Sequence, residues 1–267
     1  MNHPHIPHPR APMPPGRCFL VGAGPGDPEL LTIKALKAIQ GATLLLVDDL
    51  VGEDIVALAS PRARVIHVGK RGGCLSTPQA FIERLMLMAV QEGEIVVRLK
   101  GGDPFIFGRG GEEAEHLRAA GVEVEVINGI TAGLAAATSL GIALTHREHA
   151  HGVMFLTGHA GHGQAGLDWC EIGRTARAAQ ITLVIYMGVA SVREVEAGLL
   201  AGGLPARTPV ALVRNASRAD QEHAIADLGS LSHALRASGL ASPCVFVIGD
   251  AVRAGNCVAA LAQSMAL

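Results

Sequence analysis

The chain reads as an α/β protein built of two successive α/β units, and three features say so. β-rich runs alternate with segments whose apolar residues recur every three or four positions. The alternation starts afresh after the turn signal Asn128-Gly129, and glycine-rich loops stand where a strand should hand over to a helix.

In the first half the β-rich runs are "RCFLV" from Arg17, "TLLLV" from Thr43, "RVIHV" from Arg64, "IVVRL" from Ile95 and "VEVEVI" from Val122. Helical spacing falls between them over Pro28 to Ile39, Thr77 to Gln91 and Gly110 to Ala120. Strands separated by helices predict a mainly parallel sheet with helices on its faces. After Asn128-Gly129 come "VMFLTG" from Val153, "TLVIYMG" from Thr182, "PVALVRNA" from Pro209 and "PCVFVIGD" from Pro243, with helices expected between them. The expected division is a disordered tail over 1–16, an N-terminal α/β domain over 17–130 and a C-terminal α/β domain over 131–267. The tail follows from the proline density of "MNHPHIPHPRAPMPPG", which is neither a signal peptide nor a strand. With no polar linker between the units, they are expected to pack closely around a crevice.

Composition narrows the function classes. A chain of 267 residues with 33 glycines and 49% hydrophobic residues suits a loop-rich α/β enzyme. A formal net charge of −2 supplies no electrostatic footprint for nucleic acid, so an anionic ligand has to be met by locally placed Arg and Lys. Five widely spaced cysteines, none in a Cys-x-x-Cys pair, indicate neither a disulfide framework nor a thiolate zinc site, and point to a reducing cytoplasm. The longest uncharged stretch, Val126 to His146, carries Asn, Gly and Thr and reads as strand, turn and small-residue helix, so no membrane span is expected.

Two glycine loops carry the chemistry. "GAGPGDPELLT" from Gly22 follows an apolar run, and the pair Asp48-Asp49 stands about twenty residues on, where a dinucleotide-binding unit keeps its ribose-binding carboxylate. Two prolines argue against a dinucleotide. Pro25 has no amide to donate, and Asp27-Pro28 reads as an N-cap followed by proline at the first helical position, with Glu29 favourable in that turn. A carboxylate on those amides would repel a pyrophosphate. A tight strand-to-helix turn without a ligand is the plain alternative. The second loop, "RLKGGDPFIFGRGGEE" from Arg98, is more specific: it follows a β-rich run, Gly101-Gly102 admits close backbone approach, Asp103-Pro104 turns the chain, and Arg109 precedes a new helix.

These loops, with "GITAGLAAATSLGIALTHRE" and "VIYMG", resemble the ordered signatures of the tetrapyrrole methylases, over about Arg17 to Ala216. The resemblance implies two α/β domains of the tetrapyrrole methylase type with the active site in the cleft between them, working as a homodimer. It also implies S-adenosylmethionine bound in a compact shape and released as S-adenosylhomocysteine. The implied reaction is C-methylation of uroporphyrinogen III, a macrocycle with eight carboxylates, at two ring carbons to give precorrin-2, on the way to sirohaem or cobalamin. By the same resemblance Pro25, Gly101, Gly102, Asp103, Ile106, Thr131, Ala132, Met187 and Ala216 contact the cofactor. A sulfonium is a cation, so carbonyl oxygens and apolar walls suit it. Met187 would otherwise be read as a core methionine at a strand end.

Arg109 and Arg147 match positions that grip carboxylates, which planar guanidinium groups do bidentately; a surface ion pair is the alternative for each. Glu112 matches an active-site acid, or serves its helix's first turn. Asp48 matches a proton acceptor and Lys70, in "VGKRGG", a proton donor; a strand-end carboxylate is the alternative for Asp48. The chain departs from the family at Asp49, where a basic residue is usual, and at Asn128, where proline is common. His146, His149, His151, His159 and His162 crowd one region, but their spacing matches no helical His-x-x-x-His pair, no partnered carboxylate pattern accompanies them and no metal is expected. Competing readings are a same-fold methylase acting on a later corrin precursor, on a protein or on ribosomal RNA, an NAD-dependent oxidoreductase, and a non-catalytic tetrapyrrole-binding protein.

Overall fold

The computed structural model describes residues 16–69, 78–159 and 165–255. Residues 1–15 of the expected tail, Lys70, His162, Cys74 and Cys257 lie outside the described residues. The chain divides into two compact units, one from the described residues of Met1–Ala23 and Leu31–Gly129, the other from those of Gly24–Leu30 and Ile130–Leu267.

The first unit is a five-stranded sheet in the order β3-β2-β4-β1-β5. Its strands are β1 (Arg17–Gly22), β2 (Leu44–Val47), β3 (Arg64–His67), β4 (Ile95–Lys100) and β5 (Val124–Ile127). Every pairing is parallel, as the alternation of strand and helix predicts. The uninterrupted apolar run of β2 makes sense in a parallel sheet covered on both sides: all four residues are buried. Alternate side chains divide between two cores. Leu20, Leu44, Leu46 and Val96 face α3 (Gln79–Gln91) and α4 (Gly110–Ala119) through Ile82, Met86, Ala114 and Leu117. Val21, Leu45, Val47, Val97 and Leu99 face α1 (Ile33–Gly41) and α2 (Glu53–Val56) through Ala35, Ile39 and Ile55. Each such fully buried aliphatic side chain contributes roughly 1.5–3 kcal/mol.

The helix expected from Pro28 does not begin there. Pro28–Leu30 form a 3-10 turn, and α1 starts at Ile33, with the Thr32 hydroxyl accepting from the Ala35 amide at 3.1 Å. Asp27 caps only the short turn, its Oδ1 accepting from the Glu29 amide at 2.8 Å. The extended backbone of Thr32 (φ −71°, ψ 148°) interrupts the helical run, and its hydroxyl is the better-placed cap for α1. Asp27 nevertheless occupies an amide that a phosphate would need. Within the second unit, the 24–30 segment is held where the Asp27 amide donates to Ser217 Oγ at 3.2 Å, and where a Cβ on Gly26 would lie 2.3 Å from Arg218 Cγ.

The second unit contains α5 (Ala132–Ser139), β6 (Gly152–Thr157), α6 (Trp169–Ala179), β7 (Ile181–Tyr186), α7 (Val192–Ala201), β8 (Pro209–Arg214), β9 (Glu222–Asp227), α8 (Leu231–Ala237) and β10 (Cys244–Ile248). Its strand order is β6-β7-β10-β8-β9. β6 and β7 are parallel, but β10 runs antiparallel to both β7 and β8, and β9 forms a hairpin with β8. This corrects the expectation that the first half's pattern simply repeats. β9, "EHAIAD", carries only one β-branched residue, so neither propensity nor a run of bulky residues marks it as a strand. α6, α7 and α8 cover one face through Trp169, Val195, Leu199, Leu231 and Leu235. The small-residue helix α5 covers the other through Ala135, Ala136 and Ala137 against Val184, Ala211, Val213 and Val247. The uncharged 126–146 stretch is therefore the end of β5, a turn and α5, as its composition predicts. Among the described residues no helix is long and apolar enough to cross a membrane.

Candidate active site

Most of the expected site residues among the described ones lie just past the carboxyl ends of strands, the side on which α/β sheets place ligands, whereas Arg147 stands in the turn before β6, at that strand's amino end. Pro25 follows β1, Asp48 follows β2, Gly101, Gly102 and Asp103 follow β4, and Thr131 follows β5 by a short loop; Met187 follows β7 and Ala216 follows β8.

The loop after β4 is pinned by a buried carboxylate. Asp103 Oδ1 accepts from the Phe105 amide at 2.8 Å, and Oδ2 accepts from Asn128 Nδ2 and the Gly129 amide at 3.1 Å each. Asn128, where the family commonly has proline, is thus a working part of the turn. Three backbones meet there: a Cβ on Gly129 would sit 2.2 Å from the Gly102 carbonyl oxygen, and one on Gly22 would sit 2.4 Å from the Gly129 nitrogen. Only glycine fits such an approach. With Asp103 committed to its own loop, what this segment offers a ligand is backbone, at Gly101 and Gly102, and the half-buried side chain of Ile106.

In the second unit the Tyr186 hydroxyl, at the end of β7, shares a 2.7 Å hydrogen bond with the Thr131 hydroxyl and accepts from the Gly133 amide at 2.7 Å. It thereby satisfies one of the free amides at the start of α5. Thr131 and Ala216 are buried, Ala132 is half-buried, and the Met187 side chain is 46% exposed, so Met187 is no core methionine.

Left-handed backbone collects at the same strand ends. Among the described residues, six that are not glycine have positive φ: Phe107 and Arg109 in the loop after β4, Met187 after β7, Asn215 and Ser217 on either side of Ala216 after β8, and Gln180 at the end of α6. Gln180 is an ordinary αL helix cap. Each of the other five costs on the order of 1–3 kcal/mol, strain that folds retain where a site requires it.

Asp48 is fixed from three directions. Its amide donates to the Leu99 carbonyl at 3.0 Å, its Oδ1 accepts from the Asp49 amide at 3.0 Å, and Arg98 Nη2 lies 3.8 Å from the same oxygen. Arg98 belongs to a buried ionic cluster that no sequence motif announced. Glu113 of α4, fully buried, takes Arg98 Nε at 3.1 Å and Gln79 Nε2 at 3.0 Å on one oxygen and faces Lys100 Nζ at 3.1 Å with the other. The Lys100 contact is close enough for an ion pair but is not aligned as a hydrogen bond, so Oε2 stays under-satisfied. Burial, and then the neighbouring Arg98 charge, push the Lys100 ammonium below its ordinary range. The available signal was two charges spaced by one residue, Arg98 and Lys100, on one face of an otherwise apolar strand.

Arg109 and Glu112 are paired with each other, exposed, with Arg109 Nε 3.1 Å from both Glu112 oxygens. That hydrogen bond holds the Glu112 carboxyl below the usual range and raises Arg109. Both line a cavity of about 420 Å³ that also takes in Pro104, Phe105 and Arg118. Arg147 is exposed and, among the described residues, its guanidinium has no hydrogen bond or ion pair. The histidine region does bring in a carboxylate, which corrects the expectation from spacing alone: His146, Glu148 and His149 place one ligand atom each within 4.8 Å of one another on an exposed turn. His146 Nδ1 there accepts from the Glu148 amide at 3.2 Å, and the two imidazoles stack at 4.6 Å.

Residues 17–232 match the family model described as Tetrapyrrole (Corrin/Porphyrin) Methylases. The chain belongs to the tetrapyrrole methylase family. It is 51% identical to a uroporphyrinogen-III C-methyltransferase of Pseudomonas aeruginosa, over 89% of this chain and 95% of that one. It is 44% identical to siroheme synthase 1 of Pectobacterium atrosepticum, over 89% of this chain but 48% of that longer protein. Among solved structures, the uroporphyrin-III C-methyl transferase of Thermus thermophilus in complex with S-adenyl homocysteine matches at 39% identity and a TM-score of 0.76, covering 89% of this chain and 99% of that one. Membership of the tetrapyrrole methylases explains the proline-bearing first loop as well: with an amide missing at Pro25 and another taken by Asp27, it is not shaped for a pyrophosphate.

Proposed function

We propose that this protein transfers methyl groups from S-adenosylmethionine to two ring carbons of uroporphyrinogen III, giving precorrin-2 for sirohaem or cobalamin synthesis. The observation that carries the proposal is the make-up of the strand-end set. Pro25, Gly101, Gly102, Asp103, Ile106, Thr131, Ala132, Met187 and Ala216 include no cationic side chain, and strained backbone flanks them at Phe107, Met187, Asn215 and Ser217. A surface of carbonyls, small residues and apolar walls fits an adenosyl sulfonium and is unsuited to a diphosphate. S-adenosylmethionine, when bound, supplies an electrophilic methyl group.

The chain's own residues do the rest. Backbone at Gly101 and Gly102, held by Asp103, contacts the methyl donor, as do Met187 and Ala216. Arg147, with no partner of its own, pairs with substrate carboxylates; Arg109 joins it once a carboxylate replaces Glu112. Asp48 takes the proton that the cationic macrocycle loses elsewhere after a ring carbon has been methylated. Its tether to Arg98 and the Leu99 carbonyl favours it over the exposed Asp49 for that part. Lys70, the expected donor, lies outside the described residues. The two units act as catalytic domains divided near residue 130. The protein works as a homodimer and in the cytoplasm; the free thiols of Cys18 and Cys244 fit a reducing compartment.

The test is anaerobic incubation of the protein with uroporphyrinogen III and S-adenosylmethionine, with products resolved by mass. A dimethylated product is expected, and Arg147→Ala should raise KM for the macrocycle about tenfold or more while S-adenosylhomocysteine affinity stays put. Methylation only of a later corrin precursor, or equal loss of both affinities in Arg147→Ala, would count against the assignment.

A further inference from the structure

At the opposite end of the second sheet lies a cavity that the methylase activity leaves unused. It is about 490 Å³, the size of a small-molecule site, and is lined by Arg177, Arg207, Arg253 and His149 with Thr208, Gln180 and one acid, Asp250. Ile181 and Thr208, which line it, stand at the starts of β7 and β8, whereas Met187 and Ala216 follow the ends of those strands. A six-residue strand is about 20 Å long, so the two places are distinct.

Two of the three guanidinium groups are anchored by backbone. Arg177 Nη1 donates to the Gly203 carbonyl at 3.0 Å, and Arg253 Nη2 donates to the Arg207 carbonyl at 2.7 Å. A guanidinium carries five donors, so each anchor leaves most of the fork uncommitted. Arg253 also faces Asp250 at 3.4 Å, which uses the cavity's one acid on one of its three arginines. The Arg207 side chain makes no hydrogen bond or ion pair among the described residues. Arg177 sits in the last turn of α6 and offsets that helix's negative end, but the dipole accounts for one arginine and not for three drawn from α6, the loop before β8 and the turn after β10. In a chain whose net charge is −2, such a local excess of cations around a concavity is what recognition of a compact multivalent anion requires.

We propose that this cavity is a second ligand site, binding a small anion with two or more carboxylate or phosphate groups, separate from the methyl-donor site. Preorganised guanidinium forks fit both oxyanion types, so pyrophosphate and citrate serve as the two probes. Each is titrated calorimetrically into the full-length protein at matched ionic strength. At least one should bind saturably, and the tighter of the two names the class. Arg207→Gln, an exposed change that removes no contact seen in the fold, should weaken that binding about tenfold. Arg236→Gln on α8, outside the cavity, should not, and S-adenosylhomocysteine affinity should be the same in all three proteins. Absence of saturable binding by both probes, binding unaffected by Arg207→Gln, or displacement of the anion by S-adenosylhomocysteine would each overturn the proposal.

Discussion

Glu113 holds two buried cations, Arg98 and Lys100, at 3.1 Å each, and through Arg98 it reaches the carboxylate of Asp48. Replacing it by alanine leaves both cations buried beside a single half-buried partner, which should cost about 3–5 kcal/mol of stability, measurable by urea unfolding. A loss below about 1 kcal/mol would mean that water or a rearranged Asp48 already serves those cations. Cys18 and Cys244 give a second check at this scale. Burial pushes each thiol up to about 12. Since only the thiolate reacts, both should resist iodoacetamide at about pH 8 in the folded protein and react once it is unfolded, as peptide mass spectrometry would show. Labelling of either at the rate of an exposed thiol would contradict the packing of β1 or β10. Residues such as Glu113 are hard to place from sequence. The spacing of Arg98 and Lys100 shows that they share a strand face, but Glu113 looks like one more first-turn acid until α4 is seen to turn it inward.

Elements whose pattern is set by local physics were legible. The apolar runs became strands at nearly the expected places because burial on both faces demands continuous apolar sequence, and α5 emerged from small residues that let it lie close to its sheet. The failures have physical causes too. β9 is specified by its hairpin with β8 and not by its own composition, and α1 is capped by Thr32 because a hydroxyl there outcompeted the more conspicuous Asp27-Pro28. The junction of β1, the loop after β4 and the turn after β5 is the least forgiving element. Gly129→Ala would place a Cβ 2.2 Å from the Gly102 oxygen, with backbone on both sides. It should destabilise the protein by several kcal/mol or displace the Gly101–Gly102 loop, with at least a tenfold loss of S-adenosylhomocysteine affinity. Unchanged stability and unchanged affinity together would show that the loop does not line the donor site.

For the whole molecule, most of the described site residues stand just past a strand's carboxyl end, because the loops there carry glycines and prolines that local rules can read, whereas Arg147 stands before β6. What sequence could not show was commitment: Asp103 is spent on its own loop, Arg109 is already held by Glu112, and Arg147 stands without a partner among the described residues. The central claim is that these strand ends receive an adenosyl sulfonium and not a dinucleotide. Calorimetric titration of the purified protein with S-adenosylhomocysteine and, separately, with NAD tests it most directly. Saturable binding of S-adenosylhomocysteine at one site per chain, with none of NAD, is the predicted result; saturable binding of NAD, or no binding of S-adenosylhomocysteine, would contradict it.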